Sequence, residues 1–311
     1  MRLALLIVHA ELKMCEVETG VQILHRLSSR LSSSVTCLDP NLFPDGGPSK
    51  GEMVEIFGES NCGKSMLVLE LIAKIILPEH CGGHGIGAVF MNCDNNINMA
   101  RLLNIMEKQI VNCSKPSSCN FDRQEIRRIR HESFARLTII KCCTMDEFEF
   151  SLLTLNEIFI KNPLNVYLLI DSLTVFYWNK CTEKNLIRMD TYLRSLHSRM
   201  KKLCQERKII TIFTRPSYFG SSKESMLGDF ECGTSVTETT GVASTSSSMA
   251  GAFTSTSSSY CLPVEHRIEL AGIVSQTPGS DKKFNAFVTS KDKQCIRFFI
   301  IDAYGIDWLN C

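Results

Sequence analysis

Eight residues, Gly58-Glu59-Ser60-Asn61-Cys62-Gly63-Lys64-Ser65, stand between an apolar run at 52–57 and a helical run at 66–77. A glycine-framed loop that leaves a strand and opens a helix aims consecutive backbone N–H groups, and the positive end of that helix, at one point in space. Such a loop cradles a phosphate chain. The two glycines permit the turn and a close approach of the backbone, Lys64 is placed to reach the outer phosphates, and the Ser65 hydroxyl is placed to ligate Mg²⁺. An ordinary glycine turn capping a helix would leave Lys64-Ser65 without explanation.

A chain of 311 residues, 44% hydrophobic and 22% charged, is long enough for one large α/β domain or two small ones around a packed core. The formal net charge of +1 supplies no overall drive toward nucleic acid or an anionic membrane, so any such contact must come from a local patch. The 15 cysteines are scattered, with one adjacent pair, Cys142-Cys143, and no C-x-x-C. That spacing suits neither a zinc site nor a small disulfide scaffold, and it reads as buried thiols in a reducing compartment. The apolar stretch at 3–8 is short for a signal peptide and no small-residue cleavage site follows. No run approaches the roughly 18 apolar residues of a membrane span.

In chain order, residues 18–31 space Val21, Ile23, Leu24, Leu27 and Leu31 as an amphipathic helix, followed by a Ser/Thr-rich loop before Asp39-Pro40. After the helix that Pro78 closes, a strand is expected at 86–91, with Asp94 beyond its carboxyl end. In open α/β sheets ligands bind there, so Asp94 faces the nucleotide, caps the helix expected at 97–111, or does both. A strand at 137–141 and a helix at 145–161 follow. The near-continuous apolar run at 165–172 then reads as a strand buried on both faces that ends in a carboxylate, Asp171. A carboxylate there, beside a phosphate-binding loop, holds the water shell of Mg²⁺. A helix at 186–207 and a buried strand at 208–213 lead to Thr214-Arg215-Pro216. Residues 221–259 are dominated by Ser, Thr and Gly, a composition that cannot build a packed core. Strands at 266–274, 284–290 and 296–301 are spaced for an antiparallel meander.

The loop, the Asp171-terminated strand, Asp94 and the closing meander together resemble the ATPase core of RecA-type recombinases. Pro40-Asn41-Leu42-Phe43, Ile76-Leu77-Pro78, Leu169-Ile170-Asp171-Ser172-Leu173, Phe176-Tyr177-Trp178 and Phe298-Phe299-Ile300-Ile301 narrow the likeness to the recombinase paralogues. The resemblance runs from about Met14 to Cys311 and is weakest across 221–259, which implies that residues 1–13 are an extension. It implies an α/β fold: a RecA-like P-loop ATPase core, its central sheet mostly parallel with helices on both faces, closed by the antiparallel meander. The implied layout is an N-terminal extension with a short amphipathic helix at 1–47 and the ATPase domain at 48–311, with a disordered Ser/Thr-rich loop near 220–260. The implied cofactors are ATP and Mg²⁺, held by Gly58, Glu59, Ser60, Asn61, Cys62, Gly63, Lys64 and Ser65, with Asp171 reaching the metal through water and Asp94 as the catalytic carboxylate. The implied role is nuclear, in homologous recombination and double-strand-break repair. The implied partners are sister paralogues in a hetero-oligomer, joined through the N-terminal part of the ATPase domain, the strand-exchange recombinase, and DNA through the complex, with no membrane.

Two departures bear on turnover. RecA-type ATPases place Glu where this chain has Asp94, one methylene shorter, and a displacement of about 1 Å costs on the order of a hundredfold in rate. Their polar sensor, often Gln, is replaced by Arg215-Pro216, where Pro216 has no N–H to relay a signal while the Arg215 side chain is still of a kind that can touch a phosphate or a neighbouring subunit. The 221–259 segment nearly lacks the Lys and Arg that neutralise DNA phosphates, and the basic run Arg123, Arg127, Arg128, Arg130 and His131 reads as a solvated helix face rather than a DNA patch. ATPase activity is therefore expected to be weak or absent. An ATP-binding adaptor, a DNA-stimulated ATPase that remodels recombinase filaments and an unrelated P-loop NTPase all remain as readings.

Overall fold

The strand that carries Asp171 is buried along almost its whole length because it lies inside one sheet, with a parallel neighbour on either side. The computed structural model describes residues 19–21, 38–44, 46–95, 98–114, 121–181, 187–217, 262–273, 282–291 and 293–309. In order its elements are β1 (Met53–Gly58), α1 (Lys64–Ile76), β2 (Gly87–Asn92), α2 (Met99–Ser114), α3 (Arg123–Phe134), β3 (Leu137–Lys141), α4 (Met145–Lys161), β4 (Asn165–Asp171), α5 (Tyr177–Lys180), α6 (Met189–Arg207), β5 (Ile210–Pro216), β6 (His266–Ile273), β7 (Lys283–Ser290), β8 (Lys293–Asp302) and β9 (Gly305–Leu309). The described strands form one sheet in the order β3-β2-β4-β5-β1-β6-β7-β8-β9. Pairing is parallel from β3 through β6 and antiparallel from β6 to β9.

Helices cover the two faces of the parallel part unequally. One core gathers α1 and α2 with Val54, Ile56, Phe90, Leu169 and Ile212, and it also takes in Leu38, Leu42 and Phe43 from ahead of β1. The other gathers Phe148, Leu155 and Phe159 of α4 and Leu193, Leu196 and Met200 of α6 against Met91, Leu168 and Phe213. Helix α1 is apolar nearly all round, and every residue from Met66 to Ile76 except Lys74 is buried. A helix of that kind has no solvent face and must be enclosed. Helix α4 is started by a capping box in which Thr144 accepts from the Glu147 N–H while the Glu147 side chain reaches back.

Several boundaries differ from the sequence expectation. The helix expected at 97–111 begins at Met99, and its cap is Asn98, whose side-chain oxygen accepts the Ala100 N–H at 2.9 Å. Asp94 is thus no part of that cap. Strand β5 continues through Thr214-Arg215-Pro216, because these residues pair with Ile56, Phe57 and Gly58. Strand β8 starts at Lys293, where polar residues pair with the end of β7. Strand β9 was not expected at all. The amphipathic helix expected at 18–31, residues 19–21 excepted, and the 221–259 segment fall outside the described residues.

One buried carboxylate fastens β9. Glu70 of α1 accepts the Ile306 N–H at 2.8 Å and the Gln109 amide at 2.9 Å. Gly305 has φ +131, and a Cβ there would stand 1.9 Å from Glu70 Oε1, so only glycine lets the chain pass. Burial pushes the Glu70 carboxyl above its ordinary value of 4.5, against the pull of Ile306 and Gln109. Since the folded value is raised, the folded state binds the proton more tightly. That contribution to stability is fully present below the ordinary value and is lost as pH rises through the folded one. Glu70→Gln keeps an acceptor and offers a donor to Gln109 Oε1, which has no partner among the described residues. We expect it to melt above wild type at pH 7, with the gap closing near pH 4. Thermal melts across pH test this, and a gap that does not vary with pH would refute it.

Candidate nucleotide site

The phosphate loop is shaped by what presses on it. Gly58 sits so close to the Leu270 carbonyl oxygen that a Cβ would come within 2.2 Å, and at Gly63, with φ +93, a Cβ would stand 2.6 Å from the Ile301 side chain. The first contact is with a rigid backbone, so position 58 admits no side chain. Strand β8, far away in sequence, therefore helps to mould the loop. Gly63 is the N-cap of α1, with no side-chain cap and no acidic residue in the first turn. That helix end keeps its positive character for an anion. The Lys64 ammonium folds over the loop and donates to the Gly58 and Glu59 carbonyl oxygens at 3.0 and 2.6 Å.

Asp171 faces this loop from the end of β4. The Thr214 hydroxyl donates to its Oδ1, while Oδ2, buried, has no hydrogen-bond partner among the described residues. Burial raises the carboxyl above its ordinary value and nearby Asp94 adds to the rise, opposed by the Thr214 and Ser65 hydroxyls and the Lys64 ammonium. A buried acceptor left unmatched costs about 1–3 kcal/mol. A Mg²⁺ water shell would supply the missing donor, so the residues present fit the ion. Asp94 stands on the same rim, exposed, and its N–H donates to the Asp171 carbonyl oxygen at 3.0 Å. Glu59, Ser60 and Asn61 form the exposed outer turn of the loop, whereas Cys62 is buried beneath it. The structure thus brings Lys64, Ser65, Asp171 and Asp94 to one place.

It removes Arg215 from that place. Arg215 is buried, its Nε donates to Glu55 Oε1 at 2.5 Å, and its guanidinium lies 4.8 Å from the Phe57 ring centre. Arg267 donates to the other oxygen of Glu55 at 2.8 Å. The side chain read as available to a phosphate or a neighbouring subunit is held by a fully buried carboxylate. Thr214 and Glu55 had no role in the sequence expectation. A hydroxyl near the end of the strand beside β4, and a charge inside an apolar strand, were the signals that could have found them. In the basic run, Arg128 pairs with Glu125 and Glu132, and Arg130 pairs with Glu107, as on a solvated helix face.

A family model described as Rad51 matches residues 29–218, which span the phosphate loop and the strands β1 to β5. The chain belongs to the Rad51 family. Within the family it is similar to the DNA repair protein XRCC2 of Mus musculus, with 27% identity over 214 residues, covering 68% of this chain and 72% of that protein. The RecA-like core anticipated for a Rad51-family member is the fold observed, parallel sheet and antiparallel closing strands alike. Among the described residues no helix is long and apolar enough to cross a membrane.

Removing the Glu55 charge would leave two guanidinium groups without their shared counterion. Breaking a buried pair in this way costs about 3–5 kcal/mol. Glu55→Gln should therefore lower the urea midpoint markedly without changing the slope of the transition. A loss under about 1 kcal/mol would show that the pair is not structural.

Proposed function

We propose that this chain is a nuclear recombinase-paralogue subunit of homologous recombination and DNA double-strand-break repair. It binds ATP·Mg²⁺ and assembles with sister paralogues to assist the strand-exchange recombinase, meeting DNA through the complex. The observation that carries the nucleotide half is the buried, unpartnered Asp171 oxygen opposite the loop of Gly58–Ser65. The repair half is supported by family membership and by the similarity to a DNA repair protein.

In this reading the loop N–H groups and the end of α1 bind the phosphates, and Lys64 exchanges its loop carbonyls for a phosphate oxygen. Ser65 ligates the metal and Asp171 holds its water. When bound, Mg²⁺ supplies charge neutralisation of the phosphate chain. Asp94 is the candidate base for an attacking water, short by one methylene compared with glutamate. With Arg215 locked on Glu55, no arginine from the end of β5 reaches the phosphates. Nucleotide thus acts chiefly to stabilise a shape that partners recognise. A turning-over ATPase stimulated by DNA is the second reading, and Asp94 standing beside Asp171 is what favours it.

Partner assembly has a surface to use. Strand β3 is an outer strand of the sheet and exposes Ile139, and the helix that follows it exposes Phe150 and Leu153 by 67% and 71%. Large apolar side chains so exposed three residues apart on one helix face mark a contact site rather than a solvent face.

At about 100 times its Kd, Mg·ATP should stabilise the protein by roughly 2.7 kcal/mol, a melting shift on the order of 5–10 °C for a domain this large. The shift should vanish in Lys64→Ala and Asp171→Asn; no shift in wild type either would remove the nucleotide reading. Co-purification with sister paralogues should survive Asp94→Ala and be lost in the Phe150→Glu, Leu153→Glu double variant, which should keep its ATP shift. Turnover well above about 1 s⁻¹ that Asp94→Ala abolishes would establish the second reading instead.

A further inference from the structure

At the opposite ends of the strands from the phosphate loop, a cavity of about 440 Å³ opens where the last turns of α4 and α6 meet the starts of β4 and β5. Its lining includes the apolar side chains of Phe159, Ile160, Pro163 and Ile209. The rest of its wall carries cations from two distant parts of the chain: Lys50, just ahead of β1, and Arg207-Lys208, at the end of α6. The Gly51 N–H donates to the Ile209 carbonyl oxygen at 2.8 Å, and this bond holds the two segments together. Burial, and then the neighbouring Lys208, pull the Lys50 ammonium below its ordinary value.

The lining carries one carboxylate beside these cations. Glu206, the acidic residue of the lining, lies 3.9 Å from Lys202 on its own helix. Arg207 donates to Asn156. Asn165 also lines the cavity, is more than nine-tenths buried, and its amide nitrogen has no acceptor among the described residues. Lys208 ends α6 at φ 52, in the left-handed region where glycine is the usual terminator. A lysine kept there retains a charge at the mouth of the cavity at a cost in backbone energy. Of the lining side chains, Ile160 is exposed by 55%.

We propose that this cavity is a docking site for an acidic peptide segment of a partner protein, one that seats an apolar side chain against Phe159 and Ile160 and sets its carboxylates on Lys50 and Lys208. Charge complementarity decides the class of occupant: one acidic side chain against three basic ones, beside an apolar wall that a free phosphate would not use. No residue of the phosphate loop lines the cavity. It adds a contact separate from Ile139, Phe150 and Leu153.

The test is fluorescence anisotropy on the full chain, with a labelled, capped pentapeptide of acidic residues around one leucine. The comparison ligands are the same peptide with amides in place of the carboxylates, and inorganic phosphate as competitor. The acidic peptide should bind with an affinity that falls as salt rises. The amide peptide should bind at least ~10-fold more weakly, and so should the acidic peptide to the Lys50→Glu, Lys208→Glu double variant. Lys208→Gly removes the charge while relieving the backbone, so it should fold at least as well as wild type yet bind more weakly. Ile160→Ser should also weaken binding, and Arg123→Glu, on another helix, should not. Equal binding to Lys208→Gly and wild type would overturn the proposal, as would equal binding of the two peptides. Displacement by phosphate at the peptide's own concentration would mean a free-anion site and would overturn it too.

Discussion

A carboxylate buried at the end of a central strand, with one oxygen unmatched, costs free energy that the described protein does not return. Asp171 is in that position, and much of the surrounding architecture can be read from it. The sheet must enclose β4 between β2 and β5 to bury the residue. Thr214 of β5 must stand beside Asp171 to satisfy one oxygen, and the N–H groups of Cys93 and Asp94 must turn onto the Asp171 carbonyl to keep the rim closed, at 2.7 and 3.0 Å. What remains is the second oxygen, which has no hydrogen-bond partner among the described residues. A fold tuned for stability alone would place an amide or an apolar residue there.

The phosphate loop is as much a product of long-range packing as of its own residues. Its first glycine is pressed against the Leu270 carbonyl of β6 and its second against Ile301 of β8. Both strands lie beyond the matched residues 29–218. The antiparallel strands therefore act as a backing for the site, and Glu70 ties the last of them to the same helix that the loop opens. Damage to the C-terminal strands would be felt at the loop directly and through α1.

The loop, the parallel strands and the placement of Asp171 were legible in the sequence because each rests on local pattern: glycine spacing, continuous apolar runs and a strand-terminal acid. Four things were not, and three of them depend on a partner far away in the chain. Strand β9 is five residues long and carries no strong period, and its existence depends on Glu70 from α1. The extension of β5 through Pro216 follows from pairing with β1, which offsets the missing N–H of proline. The cap at Asn98 in place of Asp94 was a choice between near-equal local candidates. Arg215 was judged by its neighbour in sequence, Pro216, when the residue that decides its direction is Glu55, buried on an adjacent strand and invisible to periodicity.

That last point bears on what nucleotide binding can do here. A guanidinium at the end of β5 could couple phosphate to the segment that follows, but only if it were free to turn. Bound to a carboxylate with no solvent exposure and stacked near Phe57, it would have to leave Glu55 buried with half its compensation gone. The γ-phosphate would have to repay that loss before any movement began. The same charge also serves Arg267, whose guanidinium donates to the Leu262 carbonyl at 2.9 Å. Glu55 thus fixes β5 and β6 to either side of β1 at the level of the loop. Coupling through a hinge at Arg215 is therefore the costly route, which favours the proposed reading in which bound nucleotide would hold one conformation.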